Sequence, residues 1–307
     1  MKLLGVAVKR LLEMGATLLI VYTITFFLMR AVPGGPFASE KNMPETIRRN
    51  VEARYKLDRP LWEQYVFHLS RACVGDFGPS IKLADYTVEE VLAEGFPISA
   101  SLGIIALVLA LFFGMLLGSL AAMRRNTVVD QGLMLAATFG IAVPNFVLAS
   151  GVIIGFVFWL QAFPAGGWGT VRQLVLPACC LAAPFAAYIA RLTRAGMLEV
   201  LHQDYIRTAY AKGLSERDVV LRHAIRGGLL PVVSFLGPAA ASILTGALVL
   251  ERIFNLPGMG SHFVEAATQR DYPLALGAVM VYTFLLCILN MLVDLSYTLI
   301  DPRVKVE

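Results

Sequence analysis

The side chains able to do covalent or metal chemistry are few and poorly spaced for it. Of the four cysteines, Cys73, Cys179, Cys180 and Cys287, three sit inside apolar runs. There they read as small apolar fillers rather than a disulfide framework or a zinc set. His68, His202, His223 and His262 are far apart and form no pair four residues apart, so no two imidazoles share a helix face as ligands. No Gly-x-x-x-x-Gly-Lys-Ser/Thr loop is present to cradle phosphate, and no Gly-x-Ser-x-Gly, Ser-His-Asp or Cys-His arrangement stands out. The expectation is a chain that is not an enzyme, with no catalytic residue, no metal and no cofactor of its own.

Polar residues set in apolar surroundings are the next candidates, because in a membrane such groups face a protein interior or a water-filled path. Asn145 and Phe146 follow Pro144, which should kink the chain and free a carbonyl; Pro184 and Pro238 are read as further kinks. Asn145 either lines a translocation path or bonds a neighbouring helix. Asn290, Asp294, Tyr297 and Asp301 are spaced by four, three and four residues, which puts them on one helix face. Asn290, with Asn145 and Phe146, is a candidate for the path. Asp294 is read as a structural partner of Arg191, Arg194 or the neighbouring loop, against the alternative of a proton-coupling carboxylate. Glu251 is read as a second structural polar residue.

The elements that hold these residues follow from composition. The 307 residues are 57% hydrophobic and 16% charged with a mean hydropathy of +0.69, well beyond the usage of soluble domains. A net charge of +4 implies no nucleic-acid partner. Six stretches are apolar enough to cross a bilayer: Leu11 to Met29, Ile98 to Met123, Leu133 to Leu160, Leu174 to Leu192, Leu229 to Leu250 and Leu276 to Ile300. The expected fold is an all-α polytopic membrane protein. The apolar run of the first stretch is too long for a signal core, so it is read as an uncleaved anchor. Lys2, Lys9, Arg10, Arg124, Arg125 and the basic run from Arg191 to Arg226 fall on one side, which marks it as cytoplasmic. Both termini share that side, with Arg303 and Lys305 after the last span. The segments Gln161 to Gln173 and Glu251 to Ala275 face outward. The domain reading is a first span over 1–29, an extracytoplasmic segment over 30–97, and a membrane core over 98–307 with a cytoplasmic loop at about 193–228.

Within 30–97, Ile47, Val51 and Tyr55 recur at helical spacing. A second helix is expected after Asp58-Arg59-Pro60, with Asp58 as its cap and an apolar stripe of Leu61, Tyr65, Val66 and Leu69. Packing on the outer rim and docking of an external partner are both open readings of this segment.

The cytoplasmic loop is the most informative part. Tyr205-Ile206-Arg207-Thr208-Ala209-Tyr210-Ala211-Lys212-Gly213-Leu214, then Arg222-His223-Ala224 and Leu229-Leu230-Pro231, read as helix, glycine break, helix. Gly213 supplies a left-handed turn, and Thr208, Ala209 and Ala211 are small enough for another protein to approach closely. The segment resembles the EAA loop of ABC importer membrane subunits, in the Arg-Thr-Ala-x-Ala-Lys-Gly-Leu form of the peptide branch. Arg207 stands where the general motif has Glu, and Tyr210 where the branch often has Arg. Pro33-Gly34-Gly35-Pro36-Phe37, Gly75-Asp76-Phe77-Gly78-Pro79-Ser80, Thr245 to Gly260, Arg270-Asp271-Tyr272-Pro273, Asn290 to Asp294 and Asp301-Pro302-Arg303 extend the similarity to oligopeptide-permease B-type subunits over essentially the whole chain.

The resemblance implies the type I importer permease fold and a coupling helix, Arg207 to Gly213, that docks on an ATPase subunit. It also implies a second homologous membrane subunit, two ATPase subunits that use ATP and Mg, a peptide-binding protein outside, and an inner-membrane location among lipid. Dipeptide, nickel or another small solute is the alternative cargo. A stand-alone carrier or channel built on Asp294 and Asn290, and a membrane signalling or anchoring protein, are the readings from other classes.

Overall fold

The computed structural model describes residues 2–33, 35, 53, 55–83, 85–245 and 247–300, without the side chains of 2–4, 6, 7, 244, 245 and 294–300. The described residues are helical, with one isolated bridge between Pro79 and Thr87. The helices are α1 (Lys2–Ala31), α2 (Leu61–Ala72), α3 (Val88–Met123), α4 (Val128–Ala142), α5 (Asn145–Trp159), α6 (Val171–Leu201) and α7 (Asp204–Ala211). They continue as α8 (Glu216–Gly228), α9 (Leu230–Thr245), α10 (Leu248–Ile253), α11 (Met259–Gln269) and α12 (Tyr272–Ile300).

Four of these, α1, α3, α6 and α12, are long and apolar enough to cross a membrane unbroken, and six spans result if the bent pairs α4–α5 and α8–α9 each count as one. The expected third span is thus broken. Val143 is extended (φ −80°, ψ 122°) and the axes of α4 and α5 differ by 108°, because a residue before proline is pushed out of the helical region. Pro184 and Pro238, read as kinks, lie inside α6 and α9, which continue through them. The second bend, 54°, falls at Leu229 instead, after the weak helix formers Gly227 and Gly228. Helix α3 starts at Val88, ten residues before the apolar stretch, because Val88, Val91 and Leu92 are buried against Met259, Leu274 and Ala278. Helix α6 runs on to Leu201, past the expected loop start at 193.

The chain divides into two compact units. The first comprises Met1–Ser99 and Pro257–Met291. In it Tyr22, Phe26 and Leu276 form a buried cluster with Tyr65, Leu69 and Ala72 of α2. Helix α2 departs from its expected pattern: Leu61 and Val66 are exposed, and Gln64 is the buried residue. Asp58 does not cap it; Pro60 stands at the cap position without a side-chain bond. Gln64 explains the shift of face, since it accepts from Arg30 Nε (3.1 Å) and donates to the Leu57 and Arg59 carbonyls (3.2 and 2.8 Å). Ile47 and Val51 lie outside the described residues.

The second unit comprises Ala100–Leu256 and Leu292–Glu307, and α6 is its hub, packed against α4, α5, α8, α9 and α10. Half of the α6 apolar window is buried, against 11% for α1, so α6 faces protein and α1 faces outward along most of its length. At Gly118 a side chain would collide with the Ala190 carbonyl and the Thr193 side chain, and at Gly114 with Ile189, so α3 and α6 approach through small residues.

Candidate functional site

The loop after α6 is built as the spacing predicts. Helix α7 turns only Ile206 and Ala209, three residues apart, into the chain. They join Ala122, Met197, Val219, Val220 and Ala224 in one buried cluster. At its end Gly213 has φ +81°; the Gly213 amide donates to the Tyr210 carbonyl (2.9 Å) and the Leu214 amide to the Ala209 carbonyl (3.3 Å). Leu214 packs on the cluster that holds Ala209. This is a complete Schellman closure, with both hydrogen bonds and the apolar contact that accompanies them. Ser215 then caps α8, accepting from the Asp218 amide (3.2 Å) while its hydroxyl donates to Asp218 Oδ2 (2.7 Å).

Within the segment Arg207 to Gly213, expected to couple to an ATPase subunit, Arg207, Thr208, Tyr210, Ala211, Lys212 and Gly213 are exposed. The Arg207 and Asp204 side chains, 3.5 Å apart, are both solvated and contribute little to stability. Ala209 is the exception. It is 4% exposed and packs on its own chain, so of the three small residues Thr208 and Ala211 are open to solvent while Ala209 is internal packing. A side chain at Gly196 would overlap the Gly228 carbonyl, so the end of α8 is pressed onto α6 backbone to backbone.

The same unit holds an ion pair that sequence reading missed. Arg194 Nε and Nη2 donate to Asp130 Oδ1 and Oδ2 at 2.6 and 2.7 Å. Asp130, 2% exposed, also accepts from the Asn126 amide (2.9 Å). Arg194, expected as a partner of Asp294, is therefore engaged by α4. The Asp294, Tyr297 and Asp301 side chains lie outside the described residues. A sequence signal existed: Thr127 three residues before Asp130 marks a helix start, and a carboxylate there faces a basic loop. Glu251 is fully buried in α10; its carbonyl accepts from the Leu256 amide at 2.8 Å. Next to it the Phe254 carbonyl accepts from the Gly167 amide at 2.8 Å, and a side chain at Gly166 would overlap that carbonyl. Asn145 is half-buried and Phe146 is exposed in this unit; Asn290 is exposed and belongs to the first unit.

In the first unit, three of the sequence motifs meet. Arg270, left-handed at φ 63°, donates from Nη1 to the Pro33 and Gly35 carbonyls at 2.8 and 3.2 Å. Asp271, 1% exposed, accepts from the Ser80 hydroxyl and, at 3.1 Å each, from the Ile81 and Lys82 amides. Its other oxygen accepts from the Leu274 amide (3.2 Å), capping α12. Tyr55 Oη donates to the Ser80 carbonyl (2.9 Å). Burial pushes the nearby His68 down to about 4, helped by Arg30, Arg71 and Lys56. Burial likewise lowers His262, against Glu265 and Glu94. No group of three or more metal-ligating side chains occurs among the described residues.

Residues 114–306 match the family described as the inner membrane component of binding-protein-dependent transport systems. The dipeptide transport system permease protein DppB of Bacillus subtilis (strain 168) is 48% identical over 98% of this chain and 97% of its own. The oligopeptide transport system permease proteins OppB of Haemophilus influenzae and Escherichia coli (strain K12) are 44% and 43% identical, each over 97% of this chain and 98% of their own. An amino acid ABC transporter solved with histidines matches the fold with a TM-score of 0.53 at 15% identity, over 70% of this chain and 94% of that one. The MetNI methionine ABC transporter matches with a TM-score of 0.53 at 15% identity, over 69% and 96%. A helical frame of four to six spans, a helix-glycine-helix loop and this likeness agree: the chain belongs to the inner-membrane permease components of binding-protein-dependent, ABC-type importers.

Proposed function

We propose that the chain imports peptides, oligopeptides in the first instance, as one of two homologous membrane subunits. Two ATPase subunits would bind and hydrolyse ATP with Mg, and a binding protein outside would deliver the peptide. The names of the relatives support the cargo. The observation that carries the mechanism is the exposed face of α7, held from below by Ile206 and Ala209 and closed at Gly213.

A docking helix transmits force only if it cannot slide on its own base. The buried cluster and the Schellman closure supply that footing, and the Asp130–Arg194 pair ties α4 to the hub helix above it. Closure of the ATPase pair would then displace α7, α8 and the packed end of α6 as a body, a transition between two packed states. Both termini and the α7 loop lie in the cytoplasm in this reading. Asn145, Phe146 and Asn290 remain candidates for the path.

The test is peptide-stimulated ATP hydrolysis and uptake by the reconstituted importer, with Trp in place of Ala211. Hydrolysis that persists while uptake is lost supports docking through this face. Unchanged coupling would remove the assignment. Peptides of graded length in the same assay separate an oligopeptide from a dipeptide cargo.

A further inference from the structure

Helix α2 belongs to the segment read as extracytoplasmic, yet its buried side is bonded to a membrane span. Tyr22 Oη donates to the Tyr65 carbonyl (3.1 Å), the Thr23 and Tyr65 hydroxyls are 2.9 Å apart, and Arg30 reaches Gln64. All three α1 residues lie within Val8–Ala31, the apolar length of the first span. From Thr23 to Arg30 the rise is about 10 Å, similar to the depth that an amphipathic helix occupies at a bilayer surface, about 5–10 Å. Helix α2 therefore stands beside the last turns of a span rather than beyond it.

The first half of its other side, up to Val66, is apolar and uncovered among the described residues. Leu61, Trp62 and Val66 are 51%, 68% and 56% exposed. This face is continuous with the outward face of α1: Tyr65 stacks on Phe27 at 5.8 Å and 16°, and Phe27 leads to Ile24 and Leu28, themselves 60% and 66% exposed. A span exposes such side chains to lipid, and tryptophan favours the headgroup level, where its ring is apolar and its N–H finds water or a polar headgroup. We propose that α2 is an interfacial helix, with Leu61, Trp62 and Val66 seated in the outer headgroup and upper acyl layer of the bilayer. The helix then fixes the depth of α1 and, through Gln64, the position of Arg30. The proposal rests on α1 being a membrane span and not on the peptide cargo or the docking of α7, so it can fail by itself.

The experiment uses the whole importer in phospholipid nanodiscs, with Trp159→Phe and Trp168→Phe in this chain. The emission of Trp62 is the difference between that importer and one that also carries Trp62→Phe. Loss of this emission when the phosphatidylcholine is brominated on its acyl chains, with little loss to acrylamide, is the expected result. Loss to acrylamide alone would place Trp62 in water and overturn the proposal. Resistance to both quenchers would mean that a protein subunit covers α2, and would overturn it equally. Retained ATP hydrolysis by both variant importers shows that the measurement was made on an assembled importer.

Discussion

The α7 loop and the Arg270–Asp271 clamp hold chain in place by opposite means. Under α7 the contacts are apolar, two inward side chains and a helix closure, and the polar groups are left exposed. At the clamp the anchor is a buried carboxylate that satisfies four donors, and the polar groups are consumed within the chain. Apolar contact is non-directional and tolerates small shifts, whereas a buried carboxylate demands each of its partners. The first would suit the docking surface proposed above; the second suits loops that must stay closed.

The largest effect is expected at the clamp. Asp271→Ala removes the acceptor of the Ser80 hydroxyl and of the Ile81 and Leu274 amides, a loss of about 3 kcal/mol or more. Limited proteolysis between residues 75 and 87 in the purified importer should rise sharply. An unaltered digestion pattern would mean the loop is held elsewhere.

The Asp130–Arg194 pair comes next, since Asp130→Ala removes a buried partner of a guanidinium that is itself 27% exposed, at about 1–3 kcal/mol. Thermal unfolding in detergent should shift down together with ATPase coupling. If coupling survives while stability falls, the pair supports the fold and not the transmission.

Around α7 the comparison can be sharpened within three residues. Gly213→Val forces a β-branched residue to φ +81°, at a cost of about 1–2 kcal/mol, and should uncouple hydrolysis from uptake. Ala209→Leu should lower the melting temperature through overpacking, while Thr208→Leu, on the exposed face, should leave melting unchanged and weaken ATPase binding. Equal effects of the two leucines on melting would erase the distinction between footing and docking face.

The smallest effect is at His68, whose pKa is pushed to about 4 from its ordinary 6.5. The native state holds it neutral while the unfolded chain takes up a proton below 6.5. Its contribution to stability is therefore complete above that value and is lost as pH falls from 6.5 toward 4. His68→Gln should flatten that part of the pH-stability curve, read from melting at pH 7 and pH 5.

Much of this architecture was legible because membranes constrain sequences severely. The spans, the glycine break and the family motifs all depend on local composition, which sequence shows directly. Orientation of side chains within an element was less legible. Leu61 and Val66 looked like part of the packing stripe of α2, but Gln64 won the buried face because it joins Arg30 of α1 to the Leu57 and Arg59 carbonyls of the turn before the helix. Ala209 looked like a contact for a partner because small residues serve inner and outer contacts alike. Arg194 was visible as a charge, but its choice of Asp130 depended on how α4 returns along α6, which no local pattern encodes.

The π-helical stretch Val219–Ala224 makes the loop unequally sensitive to changes of length. Its wider turns carry a residue that an α-helix does not need, so a one-residue deletion there can be absorbed by reverting to α geometry. The same deletion between Ile225 and Gly228 has no such slack. It would turn the following residue by about 100°, rotating Gly228 off Gly196 and replacing a backbone contact with a side-chain clash. Related chains that differ in length in this loop should differ at 219–224 and keep the distance from Ala224 to Gly228 fixed.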